Sequence, residues 1–185
     1  MTRALIIGDF HIPTRAREIP KPIVEKIRKE KFDMILCTGD LTSEKVLDFL
    51  SKLSKKLYIV MGNMDHIINP DKHIIEIGNL KVGLIHGDVV WPRGNIEQLT
   101  KLALSMNVDV LISGHTHSPF IHEIKADGKK ILLLNPGSAT GVWSGGLTSG
   151  NPSFMIVDFS ESYIEVRLYE LFEGKLKERV KRVQV

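Results

Sequence analysis

Leu5-Ile6-Ile7-Gly8-Asp9-Phe10-His11 is the stretch from which the fold is read. A short apolar run bounded by polar residues reads as a strand buried on both faces. The glycine after it lets the backbone turn sharply, and the turn delivers two side chains able to bind a metal, Asp9 and His11. The pattern then recurs. Ile35-Leu36-Cys37-Thr38-Gly39 leads to Asp40, and Tyr58-Ile59-Val60-Met61-Gly62 leads to Asn63. Val82-Gly83-Leu84-Ile85 leads to His86, and Leu111-Ile112-Ser113-Gly114 leads to His115 and His117. In open α/β sheets the loops at the carboxyl ends of strands converge on one edge, where ligand sites gather. The spacing therefore predicts a single constellation: Asp9, His11, Asp40, Asn63, His86, His115 and His117.

Working outward, the first half alternates strand-like and helix-like segments. Strands are expected at Ala4–Ile7, Met34–Cys37 and Leu57–Met61. Lys21–Lys29 places Ile23, Val24 and Ile27 on one helical face, and Glu44–Leu53 does the same with Val46, Leu47, Leu50 and Leu53. A third helix is expected from Ile96 to about Met106, opened by Asn95 with Gln98 three residues on, in the manner of a capping box. The second half reads as hairpins: Ile74–Ile77 and Leu80–Ile85 about Gly78-Asn79, then Phe120–Lys125 and Lys130–Leu134 about Asp127-Gly128. Ser153–Phe159 and Ser162–Phe172 follow. Helix–strand alternation first and hairpins later predict an α/β or α+β layered domain with mixed sheets. Nothing divides the chain, so one domain over residues 1–185 is expected.

Composition narrows the function classes. The chain has 185 residues, seven His and one Cys, with a formal charge of +3. One cysteine excludes an intramolecular disulfide and a thiolate zinc cage. No apolar run is long enough to span a bilayer, and Gly8-Asp9 comes too early for a secretory signal. A cytoplasmic protein is expected. The mild charge does not supply the basic channel a nuclease would need; the expected partner is a phosphoester small molecule.

Seven side chains exceed what one tetrahedral ion requires and suit two ions sharing a carboxylate. His nitrogens with carboxylate and amide oxygens, and no Cys, match two divalent ions better than a calcium cage, manganese foremost, with nickel, iron, cobalt or zinc as alternatives to it. Two such ions sit about 3.5–4 Å apart, acidify a bridging water and clamp an in-line displacement at phosphorus. The expected reaction is phosphodiester hydrolysis by a metal-bridging hydroxide, with Asn63 and His86 also contacting the substrate as charge develops.

Gly8-Asp9-Phe10-His11, Gly39-Asp40, Gly62-Asn63-Met64-Asp65, His86-Gly87 and Gly114-His115-Thr116-His117 resemble, in order, the signature of calcineurin-like metallophosphoesterases. The resemblance implies a four-layer sandwich of two mixed β-sheets flanked by helices. It implies one ion on Asp9, His11, Asp40 and His117, and another on Asp40, Asn63, His86 and His115, with Asp40 bridging. Over nearly the whole chain the sequence also resembles the small subunit of the retromer coat, through these motifs and Asn135-Pro136-Gly137-Ser138-Ala139-Thr140-Gly141. That family uses the fold as a protein-binding scaffold and has lost parts of the metal site. It supplies the alternative of a protein-interaction scaffold with a protein partner, although every metal position is filled here.

Many members of the phosphoesterase family carry His directly after the Asn ligand, as leaving-group acid. Here Met64 stands there, and a thioether cannot transfer a proton. His66 and Asp65 are the candidate catalytic residues, Asp65 reading foremost as a group that orients a ligand or neighbouring backbone. Cys37 reads as a small buried hydrophobe, and His73 and His122 as structural. Ala139–Pro152 is expected as a mobile loop, either covering substrate with Trp143 as an apolar contact or without a role. The basic run Lys175–Arg182 is read either as a phosphate contact or as an edge strand guarded by charge.

Overall fold

The computed structural model describes residues 1–185 and contains eleven strands and three helices. The first half comprises β1 (Thr2–Ile7), α1 (Lys21–Arg28), β2 (Met34–Cys37), α2 (Glu44–Ser51), β3 (Leu57–Ile59), β4 (Lys72–Ile77) and β5 (Leu80–Ile85). The second comprises α3 (Ile96–Ser105), β6 (Val110–Ile112), β7 (Phe120–Ala126), β8 (Lys129–Asn135), β9 (Ser153–Phe159), β10 (Tyr163–Phe172) and β11 (Lys175–Gln184). One sheet has the order β11-β10-β9-β1-β2-β3 and the other β4-β5-β6-β8-β7. In the first, β1, β2 and β3 run parallel while β9, β10 and β11 are antiparallel. In the second, β5, β6 and β8 are parallel and β4 and β7 are antiparallel additions.

Strand periodicity sorts the apolar side chains into layers. Ala4, Ile6, Leu36, Leu84, Val110, Ile112 and Leu134 meet between the two sheets. Their neighbours Leu5, Ile7 and Ile35 face outward onto Ile23 and Ile27 of α1 and Val46 and Leu50 of α2. On the far side Ile85, Leu111, Ile131 and Leu133 pack under Leu99 and Ala103 of α3. The result is the expected four-layer sandwich of two mixed sheets flanked by helices.

One of the three helices starts on a side-chain cap. Asn95 caps α3 by accepting the Gln98 N–H at 2.9 Å. The basic run forms β11, which pairs with β10 and lies at the sheet edge, the second of the two readings of that segment. No helix is long and apolar enough to cross a membrane. Five of the six parallel strands, β1, β2, β3, β5 and β6, are followed by the turns that carry the candidate ligands.

Candidate metal centre

The turns after these strands are held in conformations that side chains other than glycine rarely adopt. Asp9, His11, Asp40, Thr42, His115 and His117 all have φ between 48° and 67°. Left-handed backbone at Asp and His costs energy and persists where surrounding structure enforces it, as at ligand-binding turns. The enforcement is visible. Asp9 N–H donates to Gly39 O at 2.9 Å, and the N–H groups of Phe10 and His11 both donate to Asp40 O. Asn135 Nδ2 donates to Gly114 O at 2.9 Å, Ser138 Oγ to Asp9 O at 2.7 Å and Thr140 Oγ1 to Phe10 O at 2.8 Å. The Asn135–Thr140 stretch thus ties the β1 turn to the β6 turn. Glycine is obligatory at position 62, where a Cβ would overlap both the backbone and the carboxylate of Asp40.

All seven predicted side chains come together. His11 Nε2 lies 3.1 Å from His117 Nε2 and 3.3 Å from Asp40 Oδ2. His117 Nε2 is 3.3 Å from Asp9 Oδ1. On the other side His86 Nε2 lies 3.4 Å from Asp40 Oδ2 and 3.0 Å from Asn63 Oδ1. His115 Nδ1 is 3.0 Å from the same amide oxygen and 3.2 Å from His86 Nε2. Asp40 Oδ2 therefore stands between the two halves of the cluster, while Asp9 belongs to two triads whose donor atoms lie within 4.8 Å of one another, Asp9-His11-His117 and Asp9-Asp40-His86.

The arrangement of protons tests whether these residues suit a cation. His86 is bonded through Nδ1 to Thr38 O at 2.7 Å, and His117 through Nδ1 to Val142 O at 2.7 Å. In the neutral ring each Nδ1 then carries the hydrogen, and each Nε2 turns a lone pair inward. His86 Nε2, Asn63 Oδ1 and Asp40 Oδ2 are thus acceptors facing acceptors, an arrangement that a proton or a metal ion must relieve. Asp9 Oδ1 is buried without a hydrogen-bond partner. The donor set fits divalent ions of the harder and borderline kind.

Electrostatics agree with the geometry. Burial pushes Asp40 up to about 6 and pushes His11 and His115 each down to about 4, so both rings are neutral at physiological pH. Burial also works to raise Asp9, but the His117 ring beside it, with His86 and His11, outweighs this and holds the carboxyl below its ordinary value. For His117 burial acts against the charged ring, yet Asp9 outweighs it and raises the imidazole above its ordinary value.

Asp65 and His66 separate. The buried Asp65 carboxylate accepts the N–H groups of Asp40 (2.8 Å), Gly62 (2.9 Å) and Thr42 (3.0 Å), so it fixes backbone beneath the cluster. His66 is exposed and does not line the cleft. Met64 does line it, beside His11, Asp40 and Asn63. Cys37 is fully buried, and burial raises its thiol pKa.

Two cleft residues escaped the sequence reading. Arg15 donates to Trp143 O at 2.8 Å, and Arg93 to Ser144 O at 2.6 Å and His115 O at 2.7 Å. With the His117–Val142 bond, they pin the Gly-rich loop beside the cluster, while the Trp143 side chain remains 68% exposed. Their ligands are backbone carbonyls, which leave no residue-type signal to read.

Comparison with known proteins places these features. Residues 2–162 match the model of the calcineurin-like phosphoesterase superfamily domain. A Methanocaldococcus jannaschii protein named a probable metallophosphoesterase is 48% identical over 135 residues, 73% of this chain and 67% of its own. Among solved structures, Vacuolar Protein Sorting 29 of Cryptosporidium parvum superposes with a TM-score of 0.91 at 30% identity, covering 100% of this chain and 98% of its own. Vps29 of Entamoeba histolytica, crystallised with zinc, gives 0.86 at 36% identity over 98% of both chains.

Proposed function

Because the chain belongs to the calcineurin-like phosphoesterase superfamily, we propose that it is a dinuclear metal-dependent phosphodiesterase, built as one domain over residues 1–185. The observation that carries this reading is the meeting of His86 Nε2 with Asn63 Oδ1 at 3.0 Å and with Asp40 Oδ2 at 3.4 Å, while Thr38 O holds the Nδ1 of the same ring. Asp9, His11, Asp40 and His117 would hold one ion, and Asp40, Asn63, His86 and His115 the other. When bound, two divalent ions, manganese in our reading, supply acidified water at neutral pH and positive charge at phosphorus.

The chain's own residues do the rest. Thr38 O and Val142 O fix the tautomers of His86 and His117, leaving each Nε2 free to ligate. Asp65 holds the backbone of Asp40 and Gly62 so that Asp40 Oδ2 stays between the two halves. Asn63 and His86 line the pocket that opens from the cleft, where they would face a phosphoryl group held by the ions. Met64 leaves the leaving group without a proton donor, which directs the activity to diesters with acidic leaving groups.

The second reading, a protein-interaction scaffold of the small-retromer-subunit kind, is favoured by the full-length likeness to Vps29. Metal analysis combined with a phosphoester panel on wild type and Asp40→Ala separates the two. Two divalent ions per chain and diester hydrolysis, both lost in Asp40→Ala, support the enzyme. A wild type that binds no divalent ion and hydrolyses every ester as slowly as Asp40→Ala establishes the scaffold.

A further inference from the structure

Two pockets open from the metal cleft, and they differ in charge. On the Asn63–His86 side a pocket of about 520 Å³ has apolar walls from residues such as Met61, Val89 and Leu102, with two carboxylates, Asp71 and Asp88, against one ammonium, Lys72. On the opposite side a pocket of about 320 Å³ is lined by Arg93, Thr116, Ser118 and Ser144 and contains no carboxylate. Arg93 and Ser144 line both this pocket and the cleft, so the two spaces are continuous.

Arg93 is only half-exposed, and its hydrogen bonds go to the Ser144 and His115 carbonyls. It pairs with no carboxylate, and its Nε–H is buried without an acceptor. A guanidinium in this position has lost much of its hydration and gained no counter-ion, so an anion that reaches it is bound strongly. Its planar fork suits phosphate, and the Ser144 hydroxyl adds a donor. An anionic group entering the cleft is repelled by Asp71 and Asp88 on one side and attracted by Arg93 on the other.

We propose that Arg93 and the Ser144-lined pocket form an anion subsite that takes a second phosphate, carried on one arm of a phosphoester whose scissile group lies at the metal ligands. The uncharged organic arm occupies the larger pocket past Asn63 and His86. The substrate class is therefore a phosphodiester bearing an additional phosphate. The assignment as a substrate subsite rests on the phosphodiesterase reading; the anion site itself rests on Arg93.

The test uses the p-nitrophenyl diester of thymidine 5′-phosphate, with and without a 3′-phosphate, on wild type, Arg93→Met and Arg93→Lys. Wild type should show the lower KM for the 3′-phosphorylated ester. Arg93→Met should raise that KM about ten- to a hundredfold and abolish the difference between the two esters. Arg93→Lys, which keeps the charge and loses the fork, should restore part of it. Equal KM values for the two esters in wild type overturn the proposal. So does a matched fall of kcat on both esters in Arg93→Met, which would make Arg93 a residue acting on the scissile group or through His115. If neither ester is hydrolysed with any metal, the phosphodiesterase reading has failed and the subsite is read separately. Calorimetry on metal-stripped protein should then show thymidine 3′,5′-bisphosphate binding more tightly than thymidine 5′-phosphate, and Arg93→Met should erase the gap. Equal binding of the two by wild type overturns the subsite.

Discussion

The Asp65 carboxylate accepts the backbone N–H of Asp40 at 2.8 Å, and through that bond it sets the direction of a carboxylate it never touches. The same oxygen takes Gly62 N–H and the other takes Thr42 N–H. Asp65→Asn leaves at least one of these buried donors facing an amide NH2, at a cost of about 1–3 kcal/mol. Metal affinity should fall about ten- to a hundredfold, as for partners that orient ligands. Activity should return when excess metal is supplied. A variant with normal metal affinity and no turnover would instead make Asp65 a group acting on the substrate.

Asp40 carries the opposite consequence for stability. Burial raises its folded-state pKa to about 6, above the ordinary carboxylate value. A raised folded-state pKa contributes stability at low pH, and that contribution is lost as pH rises through about 6. At pH 7.5 the ionised carboxylate therefore destabilises the metal-free protein. Asp40→Asn removes the charge, keeps an oxygen to accept Met64 N–H, and turns an NH2 toward His11 and His86. The metal-free variant should be more stable than wild type by on the order of 1–3 kcal/mol at pH 7.5, a rise of several degrees in Tm. The gain should vanish near pH 4, and added metal should stabilise wild type alone. A lower metal-free Tm for Asp40→Asn at pH 7.5 would contradict this.

Metal binding should expel protons in a set order. His117, raised above its ordinary value by Asp9, keeps its proton to higher pH than an ordinary imidazole, and Asp40 takes one below about 6. His11 and His115 stay neutral to about 4 and take no part until then. Apparent affinity should fall as pH drops, with a slope steepening toward two protons for the whole centre below about 6. Calorimetry in buffers of different ionisation enthalpy counts the protons released. Affinity independent of pH between 7.5 and 5 would refute the assignment of His117 and Asp40 as ligands.

The ends of strands were legible because an apolar run closing on Asp, Asn or His, four times in five through a glycine, is a residue-type signal. So was the burial of these strands on both faces, which sends Leu5 and Ile6, or Leu111 and Ile112, into different layers of the core. What could not be read was how the turns are held. Left-handed φ at Asp9, His11 and Asp40 has no signature when the residue is not glycine. The clasp from Asn135, Ser138 and Thr140 acts on backbone carbonyls, as do Arg15 and Arg93. Any sequence with the right backbone offers such acceptors. For the same reason the Ala139–Pro152 segment reads as a loop from its glycines, while its attachment beside the metal cluster shows only in three dimensions.

Met64 brings the chemistry back to a single position. It lines the cleft next to Asn63 and is 38% exposed, so its side chain faces the space a leaving group would leave through. His66 is exposed and does not line the cleft, and Asp65 is engaged by three backbone donors, so neither is placed as a proton donor there. Without one, the rate should fall steeply as the leaving group becomes more basic, and aryl diesters should react far faster than alkyl diesters. Met64→His places an imidazole at the same backbone position. Where general-acid help is worth about 10²–10⁴-fold, the variant should raise the rate on alkyl diesters by at least tenfold, change aryl diesters little, and flatten the dependence on leaving-group pKa. Rates plotted against leaving-group pKa for both proteins decide the matter: parallel lines of equal slope would mean that position 64 does not face the departing oxygen.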